Sequence, residues 1–296
     1  MPQPAEKGAR KTLPDPKPTR PQNADLGSTS AGTFAIVSRM RLSVAVAALA
    51  VLMSSRFPTP GSAEEACPPV KPTALSLPHS RAAIAANREL IVVAIGSSST
   101  EGWMSSTLSR SYPAMLQADL SATLPLAHVA VINRGTGGQD AAEEVSRLDA
   151  DVVAVKPTLV IWQVGANSAL RNADPRLFQR LVTTGIARLK AAKLDIVIMD
   201  NQQSPLIMAA PEHTLINQAL ADIAKSEGVN LFSRDDLMQE WKKAGHPPEQ
   251  FISSDNLHHN DRGYACIAGF LANSIADAVL PSTGPSHTAA NLKPRG

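Results

Sequence analysis

Between residues 90 and 232, five short apolar runs recur, separated by segments of helical period. That alternation constrains the fold more than any other feature of the chain. The runs cover residues 90–95, 129–132, 159–164 (only Gln163 is polar), 196–199 and, more weakly, 229–232. They are rich in β-branched residues and do not alternate apolar with polar. Strands covered on both faces read this way, and such strands form parallel sheets. In the intervening segments, Asp174-Pro175 supplies a cap and a first-turn proline to a helix. Leu177, Phe178, Leu181, Val182, Ile186 and Leu189 give that helix an apolar face. Leu215, Ala219, Leu220 and Ile223 repeat the pattern ahead of Gly228, a C-cap residue type. A last helix over about residues 263–280 is apolar nearly all round and should lie on the sheet. No internal repeat is present. The prediction is an α/β fold, a three-layer α/β/α sandwich with a parallel, doubly wound sheet, over residues 88–280. Ligands of such sheets bind beyond the carboxyl ends of the strands, so chemistry is sought there.

The flanks are of another kind. Residues 1–31 hold six prolines and five Lys or Arg, with hardly any large apolar side chain. Residues 1–39 therefore read as disordered, or as lying ahead of a true start at Met40. Arg39 and Arg41 precede twelve apolar or small residues, 42–53, and Gly61-Ser62-Ala63 offers a cleavage site. Residues 40–63 thus read as a signal peptide directing export to the periplasm or the exterior, with no stable membrane span after cleavage. The alternative is a signal anchor lengthened by residues 32–38, although two arginines interrupt it. Glu64, Glu65 and Ala66 ahead of Cys67 rule out a lipobox. Residues 64–87 read as a lead-in linker and 281–296 as a disordered polar tail. In an oxidising compartment, a Cys67–Cys266 bridge would tie the lead-in to the last helix. The alternative is an ordinary buried thiol at Cys266.

Composition narrows the function. A net charge of +2 gives no one-signed field to attract nucleic acid, and 4% aromatic content argues against stacking platforms for single strands. Two cysteines cannot make a four-cysteine zinc site. His79, His128, His213, His246 and His287 are scattered without ligand spacing, so neither a metal nor another cofactor is expected.

Four motifs stand at predicted strand ends or in the closing loop. The first run ends in Gly96-Ser97-Ser98-Ser99-Thr100-Glu101-Gly102, where a serine on a tight turn would be exposed at the sheet edge. The second ends in Asn133-Arg134-Gly135-Thr136-Gly137-Gly138, which lacks the spacing and Lys-Ser/Thr of a phosphate loop but leaves bare N–H donors. Gly165-Ala166-Asn167-Ser168 follows the third and can aim a side-chain amide at a developing oxyanion. Asp255-Asn256-Leu257-His258 places a carboxylate where it can orient an imidazole. Trp103 and Gln163 are candidate substrate contacts, Trp162 and Met208 read as packing residues, and His259 as an exposed residue or a second base.

Each motif alone has an ordinary reading as a cap, a turn or a solvated loop. Together, in this order, they resemble the SGNH (GDSL-type) hydrolase superfamily. The resemblance implies Ser98 as nucleophile, His258 as base and Asp255 as its orienting partner. It also implies an oxyanion hole from the Ser98 N–H, the Gly138 N–H and the Asn167 amide. Ser97 and Ser168 stand where the family usually has Asp, at positions that set loops around the site. An α/β-hydrolase fits less well, since it wants Gly-x-Ser-x-Gly in mid-sheet and a histidine far from its acid. The implied function is hydrolysis of short acyl esters, acetyl on a carbohydrate among them. An inactive carbohydrate-binding protein on the same fold, or a polysaccharide O-acetyltransferase, remains as the alternative.

Overall fold

The computed structural model describes residues 66–280. The expectations for residues 1–39, for a signal peptide over 40–63 and for a tail over 281–296, with residues 64–65, lie outside the described residues. Five parallel strands carry the fold: β1 (Glu89–Gly96), β2 (His128–Gly135), β3 (Leu159–Gln163), β4 (Asp195–Met199) and β5 (Asn230–Phe232). Their order in the sheet is β2-β1-β3-β4-β5. Helices α1 (Pro78–Asn87), α2 (Ser98–Glu101), α3 (Tyr112–Thr123), α4 (Ala141–Asp151) and α5 (Ala166–Leu170) alternate with the first strands. They are followed by α6 (Pro175–Ala191), α7 (Pro205–Ala209), α8 (His213–Glu227), α9 (Arg234–Lys243) and α10 (Asp261–Val279). This is the doubly wound sandwich that the periodicity predicts.

Both faces of the sheet are covered, which explains the unbroken apolar runs. Leu90, Val92 and Ala94 of β1 face a core shared with α3 and α10, while Val93 and Ile95 face one shared with α4, α6 and α8. Successive side chains thus point into two different cores. The strand order reverses beside β1, so the ends of β1 and β3 flank the switch point at which ligands of such sheets bind. The motifs after those strands border it.

Three expectations are corrected. The lead-in expected over residues 64–87 is more than a linker in its described part, 66–87, because α1 forms there and Leu77 is 1% exposed in the core. The Thr73 N–H donates to Ser274 Oγ at 3.1 Å, and the Ser80 N–H to Asp195 Oδ2 at 2.7 Å. A Cys67–Cys266 disulfide, with Cα atoms 5.5 Å apart, pins the start of this strap to α10. Leu177 and Leu215, assigned to buried faces, are about half exposed; Phe178, Val182, Ile186 and Leu189 of α6 and Leu220 and Ile223 of α8 are buried as expected, joined by Ile216. Met208 is likewise 44% exposed rather than packed.

Candidate active site

The nucleophile candidate sits on α2, directly after β1. Ser97, Ser99 and Thr100 are buried and only Ser98 of the four is half-buried, so one residue of the run is open to solvent at the sheet edge. Its Oγ–H donates to His258 Nε2 at 2.7 Å, although the two residues are 160 positions apart. On the other side of the imidazole, the Nδ1–H donates to Asp255 Oδ2 at 2.6 Å. That bond fixes the tautomer and leaves the Nε2 lone pair facing the serine. Burial pushes the Asp255 carboxyl up, but donors outweigh it: His258, Ser253 Oγ and the Leu257 and His258 amides hold it well below the usual carboxylate range. Asp255 is therefore an ionised acceptor at neutral pH. The loop that carries it is closed by Ser253 N–H to His258 O at 2.8 Å and by Gln202 Nε2–H to Leu257 O at 2.8 Å.

The glycine turn after β2 lies against α2. A Cβ on Gly135 would stand 2.0 Å from the Glu101 nitrogen, so only glycine permits this approach. Glu101 Oε2 then takes the Gly137 N–H at 2.7 Å. No acceptor among the described residues engages the Gly138 N–H or the Ser98 N–H. Asn167, on α5, donates one Nδ2 hydrogen to Gln139 O at 2.8 Å and keeps the second free. Asn167 and the turn holding Gly138 are thereby latched together. Arg171 reinforces the turn through Gly138 O at 2.7 Å and Asp140 Oδ2 at 2.8 Å. Arg147 reaches Gly96 O at 2.9 Å and Arg134 O at 2.8 Å, joining the ends of β1 and β2.

Two assignments change. Gln163 cannot contact substrate, because it is fully buried beneath the serine turn. Its Oε1 accepts the Ser97 N–H at 3.0 Å, Ser97 Oγ–H at 3.1 Å and Thr100 Oγ1–H at 3.2 Å. Ser97, standing in place of the usual acid, is thus tied into an internal hub. His259 is not exposed: it is buried, and its Nδ1–H donates to Phe251 O at 3.1 Å. Burial and the nearby Arg234 charge push it down to about 3, so it is neutral and unavailable as a second base. Trp162 is buried with its indole N–H on Glu144 Oε2 at 2.8 Å. Trp103, by contrast, is 54% exposed with its ring 6.1 Å from that of His258. Glu101, Arg147, Arg171 and Gln202 escaped sequence reasoning. Each reaches a backbone group of another element, which no spacing rule encodes.

Fold and site define a three-layer α/β/α protein with a serine, a histidine and an aspartate hydrogen-bonded in line at the carboxyl end of its sheet. Residues 65–281 match the model of the non-GDSL lipase-like family, and the chain belongs to that family. No curated protein sequence matches the chain. Its fold is similar to a two-domain esterase (CEX) active on acetylated mannans, at 21% identity and a TM-score of 0.58. That match covers 74% of this chain and 58% of the two-domain protein. A lipase/acylhydrolase from Enterococcus faecalis is similar at 21% identity and a TM-score of 0.56, covering 66% of this chain and 100% of that one. The acetylxylan esterase Axe2 from Geobacillus stearothermophilus is similar at 19% identity and a TM-score of 0.56, covering 66% and 97%. Among the described residues no three His, Cys, Asp or Glu side chains group as metal ligands, and no helix is long and apolar enough to cross a membrane.

Proposed function

We propose that the chain is an exported serine esterase that hydrolyses short acyl esters, with acetyl groups on carbohydrates as the substrate class. The observation that carries the proposal is the hydrogen-bond line from the half-buried Ser98 hydroxyl through His258 to Asp255. In this reading Ser98 Oγ attacks the ester carbonyl as His258 Nε2 takes its proton. Asp255 steadies the imidazolium that forms. The Ser98 and Gly138 N–H groups and the free Asn167 hydrogen receive the oxyanion. His258 then returns the proton to the leaving alcohol oxygen, and the C–O bond breaks. Water, deprotonated by the same histidine, cleaves the acyl-enzyme and frees the acid and Ser98.

Support for a glycan-borne acetyl comes from the acetylated-mannan and acetylxylan esterases that share the fold. The Cys67–Cys266 disulfide supports export, since such bonds persist in oxidising compartments. The test is Ser98→Ala. Turnover of a short aryl ester should vanish with the thermal transition unmoved, while Ser99→Ala keeps most activity. An active Ser98→Ala enzyme overturns the proposal.

A further inference from the structure

Trp103 is a large exposed aromatic held unusually firmly. Its backbone N–H donates to Ser98 O at 3.0 Å, in the turn of the nucleophile itself. Its carbonyl accepts the Tyr264 hydroxyl of α10 at 2.7 Å. Its indole N–H donates to Glu101 Oε2 at 2.9 Å, the same oxygen that takes the Gly137 N–H. The next residue, Met104, has φ 63°, a left-handed conformation that a side chain of this kind rarely adopts. Asp261 holds the following stretch by accepting the Ser106 N–H at 2.8 Å and its hydroxyl at 2.5 Å. A rigid frame thus presents an indole to solvent, where hydrophobicity alone would bury it.

Its place says which part of an ester it meets. His258 must hand its proton to the leaving alcohol, so the alcohol lies beside the imidazole. The Trp103 ring stands 6.1 Å from that imidazole, tilted by 32°. With the indole N–H already taken by a carboxylate, only the π face is left to bind. That face is electron-rich and attracts the partly positive C–H edge of a saturated ring. The other Glu101 oxygen has no partner among the described residues and can accept a hydroxyl. A flat aromatic beside a carboxylate acceptor suits a polyhydroxylated ring, and suits a hydrocarbon chain poorly.

Resting on the esterase reading above, we propose that Trp103 is the platform on which the leaving alcohol stacks, that this alcohol is a sugar ring, and that Glu101 is the positioning residue holding the platform against the glycine turn. The experiment compares acetate release from monoacetylated methyl glycosides with release from ethyl acetate. Trp103→Leu should raise KM for the glycosides roughly tenfold while leaving their kcat, and both constants for ethyl acetate, within about twofold. Trp103→Phe should recover most of the loss. Glu101→Ala should show the same KM split plus a fall in kcat on both substrates, through the Gly137 contact. Glu101→Gln, which keeps an acceptor oxygen, should restore both. Equal losses on glycosides and ethyl acetate in Trp103→Leu would overturn the platform and reduce Trp103 to a structural role. A KM rise confined to longer acyl chains would place it on the acyl side and overturn it equally. Failure of the wild type to release acetate from any ester would instead overturn the esterase reading, and the platform with it.

Discussion

Gln163→Met separates support of the nucleophile turn from contact with substrate. The replacement conserves length but removes the oxygen that accepts from the Ser97 N–H, the Ser97 hydroxyl and the Thr100 hydroxyl. The hydroxyls can rotate, and Thr100 Oγ1 keeps Tyr112 Oη at 3.3 Å. The Ser97 amide cannot turn, and at 2% exposure it would be left unpaired. A buried unpaired amide costs about 1–3 kcal/mol. The wild-type side chain already leaves its own Nε2 buried without a partner, and methionine removes that penalty. The net loss of stability should therefore be small, about 0–2 kcal/mol by the same measure. The kinetic loss should be larger. With its anchor gone the turn bearing Ser98 can move by about 1 Å, and a misplacement of that size costs roughly 10²-fold in rate. The assay is kcat and KM on a short aryl ester, alongside the urea midpoint. The expected result is a roughly hundredfold lower kcat, an unchanged KM and a nearly unchanged midpoint. A raised KM with intact kcat would refute the reasoning and return Gln163 to the substrate. Wild-type kcat would show that the hub does not hold the serine.

Asn167→Ala should lower kcat by about 10²–10³ with little change in KM, because the free amide hydrogen matters once the oxyanion forms; a KM effect alone would make Asn167 a ground-state contact. Cys67→Ser opens a loop spanning 199 residues. The chain-entropy model assigns such a loop about 5 kcal/mol, so the urea midpoint should drop and reductant should have no further effect; an unchanged midpoint would refute it. His259 is held near 3 in the fold against 6.5 when free, so the unfolded chain binds its proton more tightly. Its contribution is present above the unfolded value and lost as pH falls from about 6.5 toward 3. The acid loss of stability should accordingly be shallower in His259→Phe, and parallel pH profiles of the urea midpoint would count against it.

The sequence by itself determined the layering and the places where chemistry sits. Short unalternated β-branched runs between helical segments suit strands buried on both faces, and the resemblance then implies Ser98 and Asn167 just after strands and Asp255 in the loop before the last helix. Local pattern suffices there, because strand burial and turn chemistry are encoded by neighbours in the chain. What only the tertiary structure decided is which side chain faces which wall. Gln163 reads as a polar residue at a strand mouth, yet it points beneath the turn to feed Ser97. His259 reads as an exposed residue or a second base, yet its ring is buried against Phe251 O while that of His258 meets Ser98. Trp103 is exposed because Glu101, Tyr264 and Asp261, from the same turn and from α10, hold its segment outward. The outcomes for Gln163 and Trp103 depend on hydrogen bonds between residues far apart in sequence. Such bonds form only once the sheet has brought the strand ends together, and no period or motif in the chain records them.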